Sequence, residues 1–589
     1  MNESRPGYPG HSRDWVPDEV ARLLARVARP GRYAGGEFNA RVKPGATPRI
    51  VLSYPDVYEI GISNPALQIL YSHVNDATPA AAERSYCPWP DLADLMRAAG
   101  VPLWTLETFA PVRDCALWGF TLPHELCYAN VLEMLDLAGV PLHAAERDGE
   151  DPIVLGGGPA VANPWPLAPF FDAFFVGEVE DHVEALVGAL GEESREGRLR
   201  ALAAVPGVWA PGRSDRPAER QVFMGFSASE PVLRPVVPVL EAVHDRAVIE
   251  VMRGCTAGCR FCQAGMWYRP VRERPVDLVV AAADRLLDET GCDEVSLLSL
   301  SSCDYGGVAE ALTRIRELRP GLRVSLPSLR IDSAAESLAR FAAGQRGSLT
   351  LAPEAGTQDL RDAINKGVDE EQFVEAVRAT FEGGFTGLKL YFMIGLPGES
   401  DEDVLGIARM AAEATRLAKE IGRGRARVSV SVSSYVPKAH TPFELEPFAG
   451  EETLGRRQHL VREATPRGVR VAFHDVSASI VEATLARGGP GSDRLVEEAW
   501  RRGARFDGWS EHFDVRHWEE AAAVTGIDLG APSAGQASWR DAVDARLDAR
   551  FLDEEAERSR AGERTEDCRD GACAACGVCA GEVGMDLLA

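Results

Sequence analysis

The 589-residue sequence has no run of about 18 apolar residues, so a membrane-spanning helix is not expected. It has no internal repeat and no low-complexity tract, which excludes a solenoid. Positive charge is in short supply. Against 89 Asp and Glu stand 63 Lys and Arg, a formal net charge of −26, and such a surface repels phosphate backbones and anionic lipid. Nucleic acid would need a local basic patch. Met1 to Trp15 is polar and lacks an apolar core, so no secretion signal is expected and the expected compartment is the cytoplasm. Hydrophobic residues at 45% and charged residues at 26% exclude wholesale disorder.

Thiols stay reduced in the cytoplasm, so twelve cysteines need a reason other than disulfides. Seven form two tight groups: Cys255, Cys259 and Cys262, then Cys568, Cys573, Cys576 and Cys579. The remaining five (Cys87, Cys115, Cys127, Cys292, Cys303) are scattered and read as small buried apolar residues.

The pattern along the chain predicts an α/β protein. Residues 1–210 alternate short apolar strands with amphipathic helices. The landmarks are Arg49–Tyr54, Ala116–Thr121, Ile153–Leu155 running into Gly156-Gly157-Gly158, and Ala173–Val176. This is the signature of a doubly wound, Rossmann-like parallel sheet, whose ligands sit at the strand carboxyl ends. Residues 211–240 are proline-rich and read as a connection. Over 241–475 six strand–helix units follow one another, which predicts a partial or full β/α barrel with its chemistry at the strand C-termini. Residues 476–589 read as a mainly helical C-terminal region with a cysteine-rich tail; Trp500, Trp509 and Trp518 in it are expected to be core.

The first cysteine group follows the first barrel strand directly, as Arg253-Gly254-Cys255-Thr256-Ala257-Gly258-Cys259-Arg260-Phe261-Cys262. Three thiolates at C-x3-C-x2-C suit three corners of a 4Fe-4S cube and leave one iron open, as a catalytic site requires. Gly254 and Gly258 permit the tight turns that this convergence needs. This loop at the end of the first strand of a β/α series resembles the radical S-adenosylmethionine superfamily. The resemblance implies that the open iron binds S-adenosylmethionine and that one electron cleaves it to methionine and a 5′-deoxyadenosyl radical. It also implies a flavodoxin- or ferredoxin-like electron donor.

Further site residues follow from the resemblance. Ser301 and Ser302 stand where the family holds the methionine amino group, although the usual Gly-Gly-Glu is absent. Glu354 closes the fourth strand and is expected to meet S-adenosylmethionine, or else to serve a structural ion pair. Gly395 lies in the fifth-strand turn beside the adenine. Pro437–Phe443 either lines the substrate mouth or ends the barrel. Arg253, Arg260, Arg269, Arg272 and Arg274 either bind an anion or form a network with Glu250 and Glu273.

A doubly wound domain before a radical domain resembles the cobalamin-binding members, and more closely an uncharacterised bacterial subgroup. The marks are Tyr54–Gly61, Gly156–Pro159, Gly265–Pro270 and the cysteine tail. Many relatives carry a further C-terminal domain, whose role is expected here to fall to another polypeptide or to be lost. Asp56, Tyr58 and Gly61 occupy the place of the cobalamin motif Asp-x-His-x-x-Gly, with Tyr58 replacing the histidine, and Gly156–Gly158 would admit a nucleotide tail. The four C-terminal cysteines would close an auxiliary iron–sulfur cluster or a structural zinc. Three functions stay open. They are cobalamin-dependent methyl transfer, cobalamin-independent radical modification of RNA, peptide or small molecule, and a non-catalytic iron–sulfur or zinc regulatory role. Neither substrate nor catalytic acid or base is named.

Overall fold

The computed structural model describes residues 16–243, 245–326, 331, 347–530 and 537–588; the N-terminal segment read for a signal lies outside them. Among the described residues no helix is long and apolar enough to cross a membrane.

Six strands form the N-terminal sheet: β1 (Arg49–Tyr54), β2 (Ala81–Tyr86), β3 (Leu117–Thr121), β4 (Ile153–Gly157), β5 (Ala173–Phe175) and β6 (Val208–Trp209). Their order is β2-β1-β3-β4-β5-β6, parallel except where β6 runs antiparallel to β5. β1 to β5 are buried almost throughout, as a parallel sheet covered on both faces requires. β2 escapes the sequence pattern because its core positions are charged. Arg84 is buried only because Glu107 (2.7 Å) and Glu37 (3.0 Å) pair with it.

Next come β7 (Ala247–Glu250), β8 (Glu294–Leu298) and β9 (Arg323–Ser325), then β10 (Ser348–Glu354), β11 (Gly387–Ile394), β12 (Arg427–Ser434) and β13 (Arg470–Phe473). Among the described residues they form two all-parallel sheets, β9-β8-β7 and β10-β11-β12-β13. Amphipathic helices such as Val276–Thr290 and Asp401–Glu420 return the chain between strands. The architecture is a partial β/α barrel. β13, a half-exposed edge strand, carries too weak an apolar signal to be read from sequence.

The C-terminal helices are not an appendage. Val481, Leu485, Leu495, Trp500 and Trp518 share one core with Trp118 and Phe120 of the N-terminal sheet. Trp500 and Trp518 are buried and Trp509 half-buried. The connection is stitched to the same region, since Ala218–Glu219 pairs with Val543–Asp544. Cys87, Cys115, Cys127 and Cys303 are buried, whereas Cys292 is half-buried.

Candidate active site

β7 leads into Met252–Arg253, which pairs antiparallel with Arg272–Glu273 and so closes the cysteine segment into a loop. Two glycines make that closure possible. Gly254 has φ +85, and a Cβ there would lie 2.4 Å from the Pro270 carbonyl oxygen. Gly258 has φ +72, and its Cβ would lie 2.9 Å from Asn365 Nδ2. Cys262 ends the loop as the N-cap of the helix Gln263–Trp267, its Sγ accepting from the Gly265 N–H at 3.3 Å.

Burial pushes the Cys262 thiol up to about 12; Cys259 and Cys255 add to the shift and Lys366 opposes it. The three sulfurs therefore share one electrostatic environment with a lysine beside it. Among the described residues no three His, Cys, Asp or Glu side chains are grouped as a metal site. A 4Fe-4S cube takes each thiolate on a separate iron, so three soft donors on one glycine-bent loop suit it.

Distant segments clamp the loop. Asn365 Nδ2 donates to the Ala257 and Gly258 carbonyls (both 3.2 Å), and its Oδ1 accepts from Thr565 N at 2.9 Å. Arg260 is fully buried. It donates to Glu555 (3.0 Å), to the Asp362, Ala363 and Glu563 carbonyls (3.3, 2.8 and 2.8 Å) and to Thr565 Oγ1 (3.3 Å). Sequence reasoning missed Asn365, Lys366, Glu555 and Thr565, because no local pattern links residues 100 or more positions from the loop.

The residues expected around S-adenosylmethionine divide. Ser301 is buried and its Oγ has no hydrogen-bond partner, leaving a polar atom just past the end of β8 for a ligand to satisfy. Ser302 is spent on the fold, donating to the Leu297 carbonyl at 3.0 Å. Glu354 ends β10 in a left-handed conformation (φ +69) and pairs with Lys366 Nζ at 3.4 Å. Burial raises its carboxyl and Lys366 opposes that. Since Lys366 also acts on Cys262, this ion pair adjoins the cysteine loop. At the β11 turn, Gly395 (φ +90) leaves no room for a Cβ beneath Leu454 (2.9 Å), and its N–H donates to Glu399 at 2.7 Å.

The five arginines form an internal network. Arg253 pairs with Glu178, Glu180 and Glu250, Arg272 with Glu178, and Arg260 with Glu555. Arg274 donates to the Glu250 and Ser229 carbonyls, and Arg269 to the Gly265 carbonyl. The Pro437–Phe443 motif joins the two sheets. Half-buried Lys438 pairs with Glu125 (2.6 Å) and Glu482 (2.7 Å), and His440 Nε2 meets the Ala162 carbonyl at 3.1 Å. Glu125 and Ala162 follow β3 and β4, so the C-terminal edge of the N-terminal sheet faces the end of the barrel strands.

That edge was the expected cobalamin site, and its residues are occupied by the chain itself. Asp56 Oδ1 accepts from Val57 N (2.7 Å) and Trp509 Nε1 (2.9 Å). Tyr58 is buried edge-on against Tyr86, its hydroxyl accepting from Val239 N at 3.3 Å. A Cβ on Gly61 would lie 2.4 Å from the Tyr86 ring, one on Gly156 2.6 Å from the Phe174 ring, and one on Gly158 2.8 Å from the Leu122 oxygen; only Gly157 has space. The six residues line neither of two nearby cavities, about 780 and 430 Å³. Gly157 and Gly158 remain half-exposed. Of the four C-terminal cysteines, Cys576 shares a small apolar cluster with Met266 of the helix that follows the first cysteine loop.

The fold thus combines a partial β/α barrel with a three-cysteine loop after its first strand. Residues 249–411 match the model of the radical SAM superfamily, and residues 66–211 match that of radical SAM proteins, N-terminal. The chain is a radical SAM protein with an N-terminal extension. It is 27% identical over 443 residues to an uncharacterised protein, MJ0966, of Methanocaldococcus jannaschii, covering 74% of this chain and 88% of that one. It is 27% identical over 271 residues to the ribosomal protein uS12 methylthiotransferase RimO of Anaeromyxobacter sp. (strain K), covering 40% of this chain. That match spans only 57% of RimO's length. The solved structure of the cobalamin-dependent S-adenosylmethionine radical enzyme OxsB aligns with a TM-score of 0.48 at 14% identity, covering 89% of this chain and 82% of OxsB.

Proposed function

We propose that Cys255, Cys259 and Cys262 hold a 4Fe-4S cluster, and that Ser301, Glu354 and the Gly395 turn receive S-adenosylmethionine beside it. When bound, the two together would supply, with one electron and release of methionine, a 5′-deoxyadenosyl radical able to take a hydrogen atom from an unactivated C–H. The observation that carries this reading is the glycine-bent cysteine loop with the Glu354–Lys366 pair beside it and the unpartnered Ser301 hydroxyl at the next strand end. Ser301 Oγ is free to accept from an ammonium. Glu354, held near Lys366, is placed to accept from ligand hydroxyls. The Lys438 and His440 contacts tie the N-terminal sheet to the strand ends.

No step is taken through cobalamin, because the residues nominated for it are packed by Tyr86, Phe174 and Trp509. The electron comes from a flavodoxin- or ferredoxin-like donor. The net charge of −26 favours a small molecule or protein substrate over long duplex nucleic acid.

Replacing the three cysteines with alanine should abolish deoxyadenosine formation from S-adenosylmethionine under reducing, oxygen-free conditions. Persistent deoxyadenosine would overturn the assignment. Glu354→Gln should keep its iron and weaken S-adenosylmethionine binding about tenfold, or ~1.4 kcal/mol. Stoichiometric cobalt in protein from cobalamin-fed cells would refute the cobalamin-free reading.

A further inference from the structure

A second group of thiols is left unused by this chemistry. Cys568, Cys573, Cys576 and Cys579 fall within twelve residues, and the last three repeat as C-x2-C-x2-C, the ligand run of bacterial ferredoxins. Structural zinc sites more often split their ligands into two pairs separated by a longer segment.

The fold places this group against the first cysteine loop. Cys576 is buried with Val578, Phe551, Leu552 and Met266 in one small apolar cluster. Met266 lies on the helix Gln263–Trp267, which starts from Cys262, so about one helical turn (~5.4 Å) separates the Met266 contact from the Cys262 cap. Cys573 and Cys579 are exposed.

The tail is pinned in this position. Asp548 N donates to the Cys576 carbonyl at 2.9 Å, Glu273 N to the Asp586 carbonyl at 2.8 Å, and Asp586 N to the Val271 carbonyl at 2.9 Å. The turn itself is shaped for thiolates. Ala575 takes a left-handed conformation (φ +53), and its N–H donates to Cys573 Sγ at 3.4 Å, as Gly265 N does to Cys262 Sγ. Gly577 (φ +88) passes so close to Asp548 N that a Cβ would lie 3.0 Å away.

One cation lies between the two groups. Arg269 is buried, donates from Nε to the Gly265 carbonyl at 3.0 Å and stacks over Phe551 at 5.7 Å. Its Nη2 is 3.7 Å from where a Gly258 Cβ would stand, and the Phe551 ring it covers belongs to the apolar cluster that holds Cys576.

We propose that the four C-terminal cysteines hold a second iron–sulfur cluster, docked on the first loop through the Gln263–Trp267 helix and sharing the Arg269 guanidinium with it. Backbone N–H donors to sulfur and a nearby cation both favour the reduced, more negative form of a cluster. Losing the shared cation should therefore shift both midpoint potentials to more negative values.

The test is iron and zinc per chain in full-length protein reconstituted without oxygen from ferrous iron and sulfide. The Cys255→Ser/Cys259→Ser/Cys262→Ser variant should keep about half of the wild-type iron, and Cys573→Ser/Cys579→Ser also about half. Combining the five substitutions should remove nearly all of it. Because Cys573 and Cys579 are exposed, their replacement does not disturb packing, and full retention of iron in that variant would overturn the proposal. Zinc in place of the second half of the iron would overturn it equally. If the Cys573→Ser/Cys579→Ser variant loses half its iron while the first-loop variant loses none, the reading of the first loop fails and this one stands. Arg269→Gln should move both potentials, followed by paramagnetic resonance during redox titration; movement of only one refutes the shared cation.

Discussion

Arg260 lies between two of the cysteines and is sealed from solvent, so its removal tests whether the C-terminal segment holds the loop. Arg260→Met deletes five side-chain hydrogen bonds and leaves Glu555, 4% exposed, without its main partner. Breaking a buried pair from one side costs about 3–5 kcal/mol. Glu555 keeps the Thr565 hydroxyl at 2.7 Å and gains partial relief from Arg558 at 3.9 Å, which puts the cost near ~3 kcal/mol. For a cooperative unit of about 200 residues that is a drop of roughly 6–12 °C in melting temperature. Adding Glu555→Gln removes the stranded charge and should restore more than half of the loss. Thermal melts of the full-length protein, with iron per chain measured alongside, check both effects. A single variant melting within about 2 °C of wild type, or a double variant no better than the single, would refute the reasoning.

Gly258→Ala meets both a left-handed backbone, worth about 1–3 kcal/mol of strain, and Asn365 Nδ2 at 2.9 Å. It should lose iron, whereas Gly100→Ala, equally left-handed (φ +67) but with nothing within 4 Å, should lose none; iron analysis compares them. Asp507 is 2% exposed, accepts from Trp518 Nε1 at 3.2 Å on one oxygen and has no partner on the other. Burial lifts its carboxyl from 3.8 to about 7, with Trp518 and Arg505 opposing. Because the folded-state value is the higher, the unfolded chain ionises first, and stability is lost as pH rises from about 3.8 to 7. Asp507→Asn keeps the acceptor for Trp518 and should stabilise above pH 7 by up to about 4 kcal/mol (roughly 3 units at 1.36 each), with no gain below pH 3.8. Equal gains in melts at pH 8 and pH 3.5 would count against the buried charge.

The strand ends, the cysteine spacing and Gly254 and Gly258 were legible because each is local. A period of two or 3.6, a tight turn and a three-ligand loop are written within ten or twenty residues. The same locality explains what was missed. β2 hid behind Arg84, whose burial depends on Glu37 and Glu107, and Glu83, which accepts from the Thr105 and Thr108 hydroxyls, all elsewhere in the chain. The glycines of Gly61 and Gly156 looked like room for a cofactor, but Tyr86 and Phe174, each from a neighbouring strand, fill that room. Whether the arginines bound a ligand or one another depended on Glu178, Glu180 and Glu555 arriving from other elements. Sequence by itself determined the fold class and the kind of chemistry, since ligand type and spacing are chain-local. Only tertiary structure decided that the C-terminal tail lies against the cysteine loop, that Ser301 rather than Ser302 keeps an unspent hydroxyl, and that Tyr86 and Phe174 pack against Gly61 and Gly156. Each of these depends on contacts between segments far apart in the chain, which no local periodicity encodes.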